Sequence, residues 1–330
     1  MVRVALFGAG RIGRVHAASL AAHPRAELVT VCDPMEQFAA ELAGKFGATS
    51  GSDVDSVFSD DSIDAVVIGS PTPTHVDLVS RAVLAGKAVL CEKPIDLDIA
   101  RVDACWEQIS DVDHTVMIGF NRRFDPSFAD IHRRVEAGEV GSLEQLIIIS
   151  RDPEPPPAAY IASSGGLFRD MTIHDFDMAR FFLGDVVDVQ ATGTNLVADH
   201  VREAGDIDGA VVVLRGSSGA VAQITNSRRC AFGYDQRLEA FGSAGMLTAD
   251  NLRPTSVRYS GAERTESAAP YLDFFLERYH AAYRAELDHF ISSIENSNMP
   301  SPSFSDGRAA LVLADAAGES MRTGRVVRVG

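Results

Sequence analysis

Residues 2–7 (VRVALF) run straight into Gly8-Ala9-Gly10-Arg11-Ile12-Gly13, and an amphipathic helical stretch follows over 11–22. A strand, a G-x-G-x-x-G turn and a helix in that order constrain this chain more than any other feature. They are the opening of a βαβ crossover in a doubly wound parallel sheet. In such a turn Gly8 permits the tight bend, Gly10 lets the backbone approach a pyrophosphate, and Gly13 lets the helix pack close to the strand. The backbone of Arg11 and Ile12 completes the turn, and the anion rests on the positive end of the helix dipole.

The second strand ends at Cys32-Asp33, and Asp33 lies 20 residues beyond Gly13. That is the spacing of the carboxylate that holds the ribose hydroxyls of a bound dinucleotide. A purely structural glycine turn with a solvated aspartate is the competing reading. A carboxylate at this place hydrogen-bonds a 2′-hydroxyl and repels a 2′-phosphate, and the following Pro34 and Met35 bring no base to compensate. The expected cofactor is therefore NAD rather than NADP.

The remainder of the first third repeats the strand–helix alternation. Apolar runs at 27–32, 64–69, 88–91 and 114–119 read as strands, with helical stretches at 11–22, 35–46, 75–85 and 98–109. The runs are apolar throughout, as strands buried on both faces are. After residue 120 the pattern changes. A helix over 126–136 leads to a β-rich run at 143–150, a PEPPP loop at 153–157 and a helix over 171–183. Period-2 strands follow at 186–195, 207–214, 220–226 and 236–241, then two helices over 274–292 and 306–322. Consecutive strands without helices between them imply an antiparallel or mixed sheet. The expected fold is α/β: an N-terminal Rossmann sheet plus a C-terminal α+β domain with a large open, mostly antiparallel sheet. The boundary falls at residues 121 and 122, giving an NAD-binding domain (1–121) and an α+β domain (122–330), to which the resemblance described below assigns substrate binding and oligomerisation. The terminal helix is free to pack back on the first domain.

At 330 residues the chain is long enough for two domains of ~150 residues. Its 46 acidic residues against 30 basic ones give a net charge of −16, a field that repels nucleic-acid backbones and anionic membranes. Neither nucleic acid nor a membrane is therefore an expected partner, and a small-molecule substrate fits better. Four scattered cysteines (Cys32, Cys91, Cys105 and Cys230) form no C-x-x-C pair and no Cys/His cluster at zinc spacing. They read as reduced thiols of a cytoplasmic protein, with no metal expected. No apolar run approaches ~20 residues, and no signal-peptide pattern opens the sequence.

Two later segments carry chemistry. The fifth strand runs into Cys91-Glu92-Lys93-Pro94, which puts Lys93 at the carboxyl edge of the parallel sheet, where open α/β sheets bind ligands. A surface lysine at a strand end is the alternative. The second segment is GGLFRDMTIHDFD at 165–177. If it is helical, Asp170, His174 and Asp177 lie at i, i+4 and i+7 on one face. Asp170 can then polarise the His174 imidazole as a carboxylate orients a general base. Asp170 as a plain helix cap, or the three as a metal site, compete with that reading.

Together these motifs carry a resemblance. GAGRIG at 8–13, SPTPTH at 70–75, EKP at 92–94 and GGLFRDMTIHDFDMARF at 165–181 resemble the oxidoreductase family of glucose–fructose oxidoreductase and inositol dehydrogenase. The similarity spans essentially the whole chain in the family's order. It is closest to the bacterial inositol 2-dehydrogenases in GFNRRFD (119–125), FGYDQRLEAFGSAG (232–245) and FFLERYHAAY (274–283).

The resemblance implies roles for individual residues. Lys93 sits between nicotinamide and substrate, and Asp170 with His174 forms the proton-transfer dyad. Arg123 of the RRF motif and Tyr234 of the GYD motif face the substrate. The loop of Ser70, Pro71, Thr72 and His75 lines the nicotinamide side, and Glu92 belongs to the same cofactor edge. Among Ser150, Arg151 and Asp152 on the first strand of the second domain, Asp152 is the candidate for a polyol hydroxyl. One position departs from some relatives: Phe232 stands where they have a second tyrosine.

The resemblance further implies NAD-dependent oxidation of a cyclic polyol by a homodimer or homotetramer. Myo-inositol, giving 2-keto-myo-inositol, is the leading substrate. Another inositol isomer, a sugar, or a non-catalytic dinucleotide-sensing role are the alternatives.

Overall fold

The computed structural model describes residues 1–329. Apolar strand sequences and amphipathic helices alternate from the start. β1 (Val2–Phe7), α1 (Arg11–Ala22), β2 (Ala26–Cys32), α2 (Glu36–Phe46), β3 (Thr49–Gly51) and α3 (Val54–Phe58) form the first half of a sheet domain. β4 (Ala65–Ile68), α4 (His75–Leu84), β5 (Ala88–Cys91), α5 (Ile99–Ile109) and β6 (Val116–Ile118) form the second. The six strands are parallel in the order β3-β2-β1-β4-β5-β6. That order reverses direction between β1 and β4, which places the ligand crevice at their carboxyl ends.

The chain then continues through α6 (Pro126–Glu136), β7 (Leu143–Arg151) and α7 (Ala158–Ser164). A single π-helical turn (Phe168–Thr172) leads into α8 (Ile173–Leu183). β8 (Val186–Thr194), α9 (Asp199–Glu203), β9 (Gly209–Gly216), β10 (Val221–Ser227), β11 (Asp235–Gly242) and β12 (Gly245–Ala249) follow. β13 (Arg258–Tyr259), β14 (Ser267–Ala268), α10 (Phe275–Arg278), α11 (His280–Asn296), α12 (Phe304–Thr323) and β15 (Val327–Arg328) complete the chain.

The chain divides into two compact units. The first comprises residues 1–124 and 281–311, the second 125–280 and 312–330. The division falls at 124/125, where the sequence reading expects 121/122. Most of α11 belongs to the first unit. There Leu287, Phe290 and Ile291 are buried in one apolar cluster with Val4 and Leu6 of β1, Leu20 of α1 and Leu42 of α2. Arg25 adds polar anchors to Asp288 and Ser292 on the same helix.

In the second unit, seven strands run in the order β12-β11-β7-β10-β9-β8-β15. Only the β7–β10 pair is parallel. The mostly antiparallel open sheet read from the period-2 pattern is therefore present. Its inward residues (Leu146, Ile148, Val212, Leu214, Ala222, Ile224) are buried, and α8 packs across β7, β9 and β10. The opposite face presents Val211, Val213, Phe241 and Met246 to solvent. All four cysteines are free and buried, and burial pushes each thiol above its usual range. Among the described residues no helix is long and apolar enough to cross a membrane.

Candidate active site

In the first unit the glycine turn has the geometry that a dinucleotide needs. Gly8 has φ +99°, and a Cβ there would lie 2.6 Å from the Gly69 carbonyl oxygen. A Cβ at Gly13 would lie 2.0 Å from the Gly8 carbonyl oxygen, so a side chain would push the helix off the strand. At Gly10 a Cβ would meet nothing within 4 Å. No side chain caps α1, whose N-cap is Gly10. The first-turn N–H groups of the helix thus face a cradle without Cβ atoms, suited to a pyrophosphate.

Asp33 closes one side of that turn. Its Oδ2 accepts from the Ala9 backbone N–H and its Oδ1 from the Met35 N–H, both at 2.8 Å. The two amides hold the carboxylate beside the glycine loop, at the end of β2, where a ribose would lie. Pro34, Met35 and Glu36 follow it, none of them basic.

The loop after β4 carries Ser70, Pro71 and Thr72. Ser70 Oγ and Thr74 Oγ1 are 2.6 Å apart. His75 at the start of α4 is buried, with Nδ1 2.8 Å from the Pro94 carbonyl oxygen and Nε2 2.9 Å from that of Ser70. Burial holds its pKa below the usual histidine value, against the opposing pull of the two carbonyls. The imidazole ties the loop after β4 to the loop after β5. Lys93 is half-buried at the carboxyl edge of β5, and its peptide to Pro94 is cis. Glu92, next to it, has Oε1 2.7 Å from Nε2 of the buried His16 on α1.

In the second unit Asp170 lies in the π-helical turn, a local widening that recurs at functional sites. It is half-buried. Oδ1 accepts from the Tyr160 hydroxyl at 2.8 Å, and Oδ2 stands 3.3 Å from Arg228 Nη1. His174 is half-buried on the first turn of α8, whereas Asp177 is wholly buried. The i, i+7 stripe read from the sequence assumes a regular helix. The π turn shifts Asp170 out of the phase of α8, which carries both His174 and Asp177; Asp170 and His174 are partly accessible while Asp177 is buried.

Asp175, next to His174, is locked into the core. It accepts from Ser150 Oγ at 2.6 Å and from Asn226 Nδ2 at 2.7 Å, and Thr172 donates to Asn226 Oδ1 at 2.7 Å. This network fixes the segment bearing the D-x-x-x-H motif to β7 and β10.

Residues 2–120 match the model of the oxidoreductase family with an NAD-binding Rossmann fold, and residues 128–248 match the GFO/IDH/MocA C-terminal domain. The inositol 2-dehydrogenase of Rhizobium meliloti is 47% identical over 99% of both chains. The chain belongs to the GFO/IDH/MocA family. It is an NAD-dependent oxidoreductase.

Solved members of this family have the same fold. A myo-inositol dehydrogenase from Corynebacterium glutamicum superposes with a TM-score of 0.98 at 58% identity, covering 100% of this chain and 99% of that one. A scyllo-inositol dehydrogenase from Lactobacillus casei, with bound NAD(H) and scyllo-inositol, gives 0.90 at 29% identity, covering 99% of each.

Other residues that this GFO/IDH/MocA chain shares with the resemblance are placed as follows. Arg123 is buried in the 3₁₀ turn Asn121–Phe124, donating to Ser301 Oγ at 3.1 Å with Nη2 3.2 Å from Asp306 Oδ1. Tyr234 is buried, its ring edge-on to Tyr279 at 6.0 Å. Asp152 is half-buried just past β7, where its N–H donates to the Ser227 carbonyl at 2.9 Å. Phe232 is 46% exposed. With Arg237, Arg253 and Tyr271 it lines an open surface depression of about 450 Å³.

Sequence reasoning missed Tyr160, Arg228, Asp206 and the buried carboxyl of Glu286. A signal for Arg228 was available. The alternation that turns Ala222 and Ile224 inward carries Asn226 and Arg228 inward as well. Polar residues at inward strand positions need polar partners. No group of three or more His, Cys, Asp or Glu able to hold a metal ion occurs among the described residues.

Proposed function

We propose that the chain oxidises a secondary hydroxyl of a cyclic polyol, taking myo-inositol to 2-keto-myo-inositol (scyllo-inosose) with NAD⁺. The observation that carries this reading is the end-to-end similarity to inositol 2-dehydrogenases, in a chain that carries Lys93, Asp170 and His174 in the EKP and D-x-x-x-H motifs.

Bound NAD⁺ supplies the acceptor for the carbinol hydride. The backbone of Gly8, Gly10, Arg11, Ile12 and Gly13 holds the pyrophosphate, and Asp33 holds the ribose. Ser70, Pro71, Thr72, His75 and Glu92 shape the nicotinamide edge. The His174 imidazole takes the proton of the reacting hydroxyl. Asp170 orients that ring and stabilises the imidazolium that forms. The Lys93 ammonium offsets negative charge developing on the substrate oxygen. Arg123, Asp152 and Tyr234 hydrogen-bond the remaining hydroxyls. The balanced reaction releases the ketone, NADH and one proton.

The same reading makes the protein a cytoplasmic homo-oligomer. Buried free thiols suit a reducing compartment. The open sheet face supports pairing with a second copy, because cross-strand register lines up its outward residues. Val211, Thr225, Ile149 and Arg237 form one row; Val213, Gln223, Ile147 and Glu239 form the next.

The test is a substrate panel with the purified full-length chain. Myo-, scyllo- and chiro-inositol and glucose are offered with NAD⁺ or NADP⁺, and reduction is followed by nicotinamide absorbance. Myo-inositol with NAD⁺ should give the highest kcat/KM. Higher values with scyllo-inositol, the ligand of the Lactobacillus casei structure, transfer the assignment to that isomer. NAD⁺ binding without turnover of any polyol identifies a dinucleotide sensor.

A further inference from the structure

The inward alternation of β10 continues beyond its last residue and delivers two polar side chains to the D-x-x-x-H segment. Asn226 holds Thr172 and Asp175, as described above. Arg228, two positions on, is 1% exposed. Its Nη1 stands 3.3 Å from Asp170 Oδ2 and its Nη2 3.4 Å from Asp206 Oδ2. Asp206 in turn accepts the Leu167 backbone N–H at 2.9 Å through Oδ1. Leu167 is the residue immediately before the π-helical turn. One guanidinium therefore lies between the carboxylate of the D-x-x-x-H motif and the carboxylate that anchors the start of the turn bearing it. The other oxygen of Asp170 accepts from Tyr160 of α7.

A buried guanidinium is costly unless it is paired, and two carboxylates meet that need here. Its planar fork reaches two acceptors at once, which a lysine ammonium does poorly. Asp170 is thus clamped on both oxygens, by a cation at Oδ2 and a neutral hydroxyl at Oδ1.

We propose that Arg228 is a positioning residue, which fixes the Asp170 carboxylate and sets the basicity of His174, with Tyr160 as the second clamp. The inference rests on the reading of Asp170 and His174 as the proton-transfer dyad. Charged and titratable groups facing Asp170 include the Arg228 guanidinium and the Tyr160 hydroxyl, and beyond Arg228 lies Asp206. Removing the Arg228 charge leaves more net negative charge near the imidazole. His174 then holds its proton to higher pH.

The experiment compares wild type with Arg228→Gln, Arg228→Lys, Tyr160→Phe and His174→Ala, all as full-length enzyme. The readouts are kcat against pH with the best polyol, NAD⁺ affinity, and a histidine NMR titration of the free protein. The His174 signal is assigned by its loss in His174→Ala. In Arg228→Gln, kcat should fall roughly 10- to 100-fold, the loss expected of one charge-assisted hydrogen bond. Its acid limb and the His174 titration should both move to higher pH, with NAD⁺ affinity unchanged. Arg228→Lys should return the limb toward wild type while recovering kcat only in part. Tyr160→Phe should lower kcat a few-fold with no shift of the limb.

An unmoved His174 titration and kcat within two-fold in a folded Arg228→Gln protein overturn the inference. If Arg228→Gln does not fold, wild-type kcat in both Arg228→Lys and Tyr160→Phe overturns it. Near-wild-type kcat in His174→Ala overturns the dyad reading instead, so the two failures are distinguishable.

Discussion

His16 Nε2 on α1 lies 2.7 Å from Glu92 Oε1 at the end of β5, and both side chains are buried. The ring of Tyr283 on α11 stands edge-on to His16 at 5.8 Å. One turn further along α11, Glu286 is fully buried, and neither of its carboxyl oxygens has a hydrogen-bond partner. Burial, and then the nearby charge of Glu92, pushes the Glu286 carboxyl well above its ordinary range. Glu286 is thus held in its protonated form more strongly in the folded chain than in the unfolded one.

That state makes stability pH-dependent in a definite direction. The unfolded chain releases the Glu286 proton near pH ~4.3, whereas the folded chain keeps it to higher pH. Between those values the folded state binds more protons, so this group costs stability as pH rises. Glu286→Gln removes the linkage. Its Tm should exceed that of wild type by a few degrees at pH 8, and the gain should vanish near pH 4. Differential scanning fluorimetry across that range checks it; a gain independent of pH contradicts a protonated Glu286.

Some features were legible because a local rule and the tertiary structure agree. The helix read over 126–136 is α6, and the structure shows why it starts there: Pro126 takes the first helical position and Asp125 Oδ1 accepts from the Ser127 and Phe128 N–H groups. The glycine turn and Asp33 were legible for the same reason. The π turn at 168–172 was not, because GGLFRDMT has the composition of an ordinary helix start. α7 was hidden behind the PEPPP loop, and it brings Tyr160 to Asp170 across ten residues. Glu286 sits in RAELDHF, where its charge suggests a solvated face. Only the docking of α11 on the parallel sheet buries it.

Asp33 should set cofactor choice. Its carboxylate is held by the Ala9 and Met35 amides, and a 2′-phosphate brought to this place meets a fixed negative charge. Asp33→Ser removes that repulsion and one ribose hydrogen bond. NAD⁺ affinity should fall roughly ten-fold, as for the loss of a hydrogen bond to a charged group, and turnover with NADP⁺ should rise measurably. A wild-type protein already faster with NADP⁺ than with NAD⁺ contradicts the role.

The exposed sheet face offers a test of assembly. Val211 and Val213 project outward from β9, and Phe241 is cross-strand partner to Met246. Two charges placed among them should oppose burial against the same face of a second copy. If the protein pairs through this face as proposed, Val211→Glu with Val213→Glu should lower the particle mass to that of a monomer in light scattering, with the circular dichroism spectrum retained. An unchanged particle mass places the contact elsewhere.

The dyad makes the sharpest prediction. Asp170 is held by Tyr160 and Arg228 while His174 is the second residue of α8, two positions beyond the π turn. If His174 is the base, activity should fall on the acid side as the imidazole takes a proton. His174→Ala should lower kcat by ~10²–10⁴-fold with NAD⁺ affinity retained, since proton transfer is lost and the glycine turn is intact. Asp170→Asn should be comparably severe, because an amide does not stabilise the imidazolium and fixes its tautomer less reliably. The double variant Asp170→Asn, His174→Ala should be little worse than His174→Ala, because the two act as one unit. Lys93→Ala should also be severe but with a different signature: charge stabilisation is lost while the base remains, so the acid limb set by His174 should persist in what activity is left. Additive losses in the double variant would show that Asp170 and His174 act independently, and near-wild-type turnover in His174→Ala would move the role of base to Lys93.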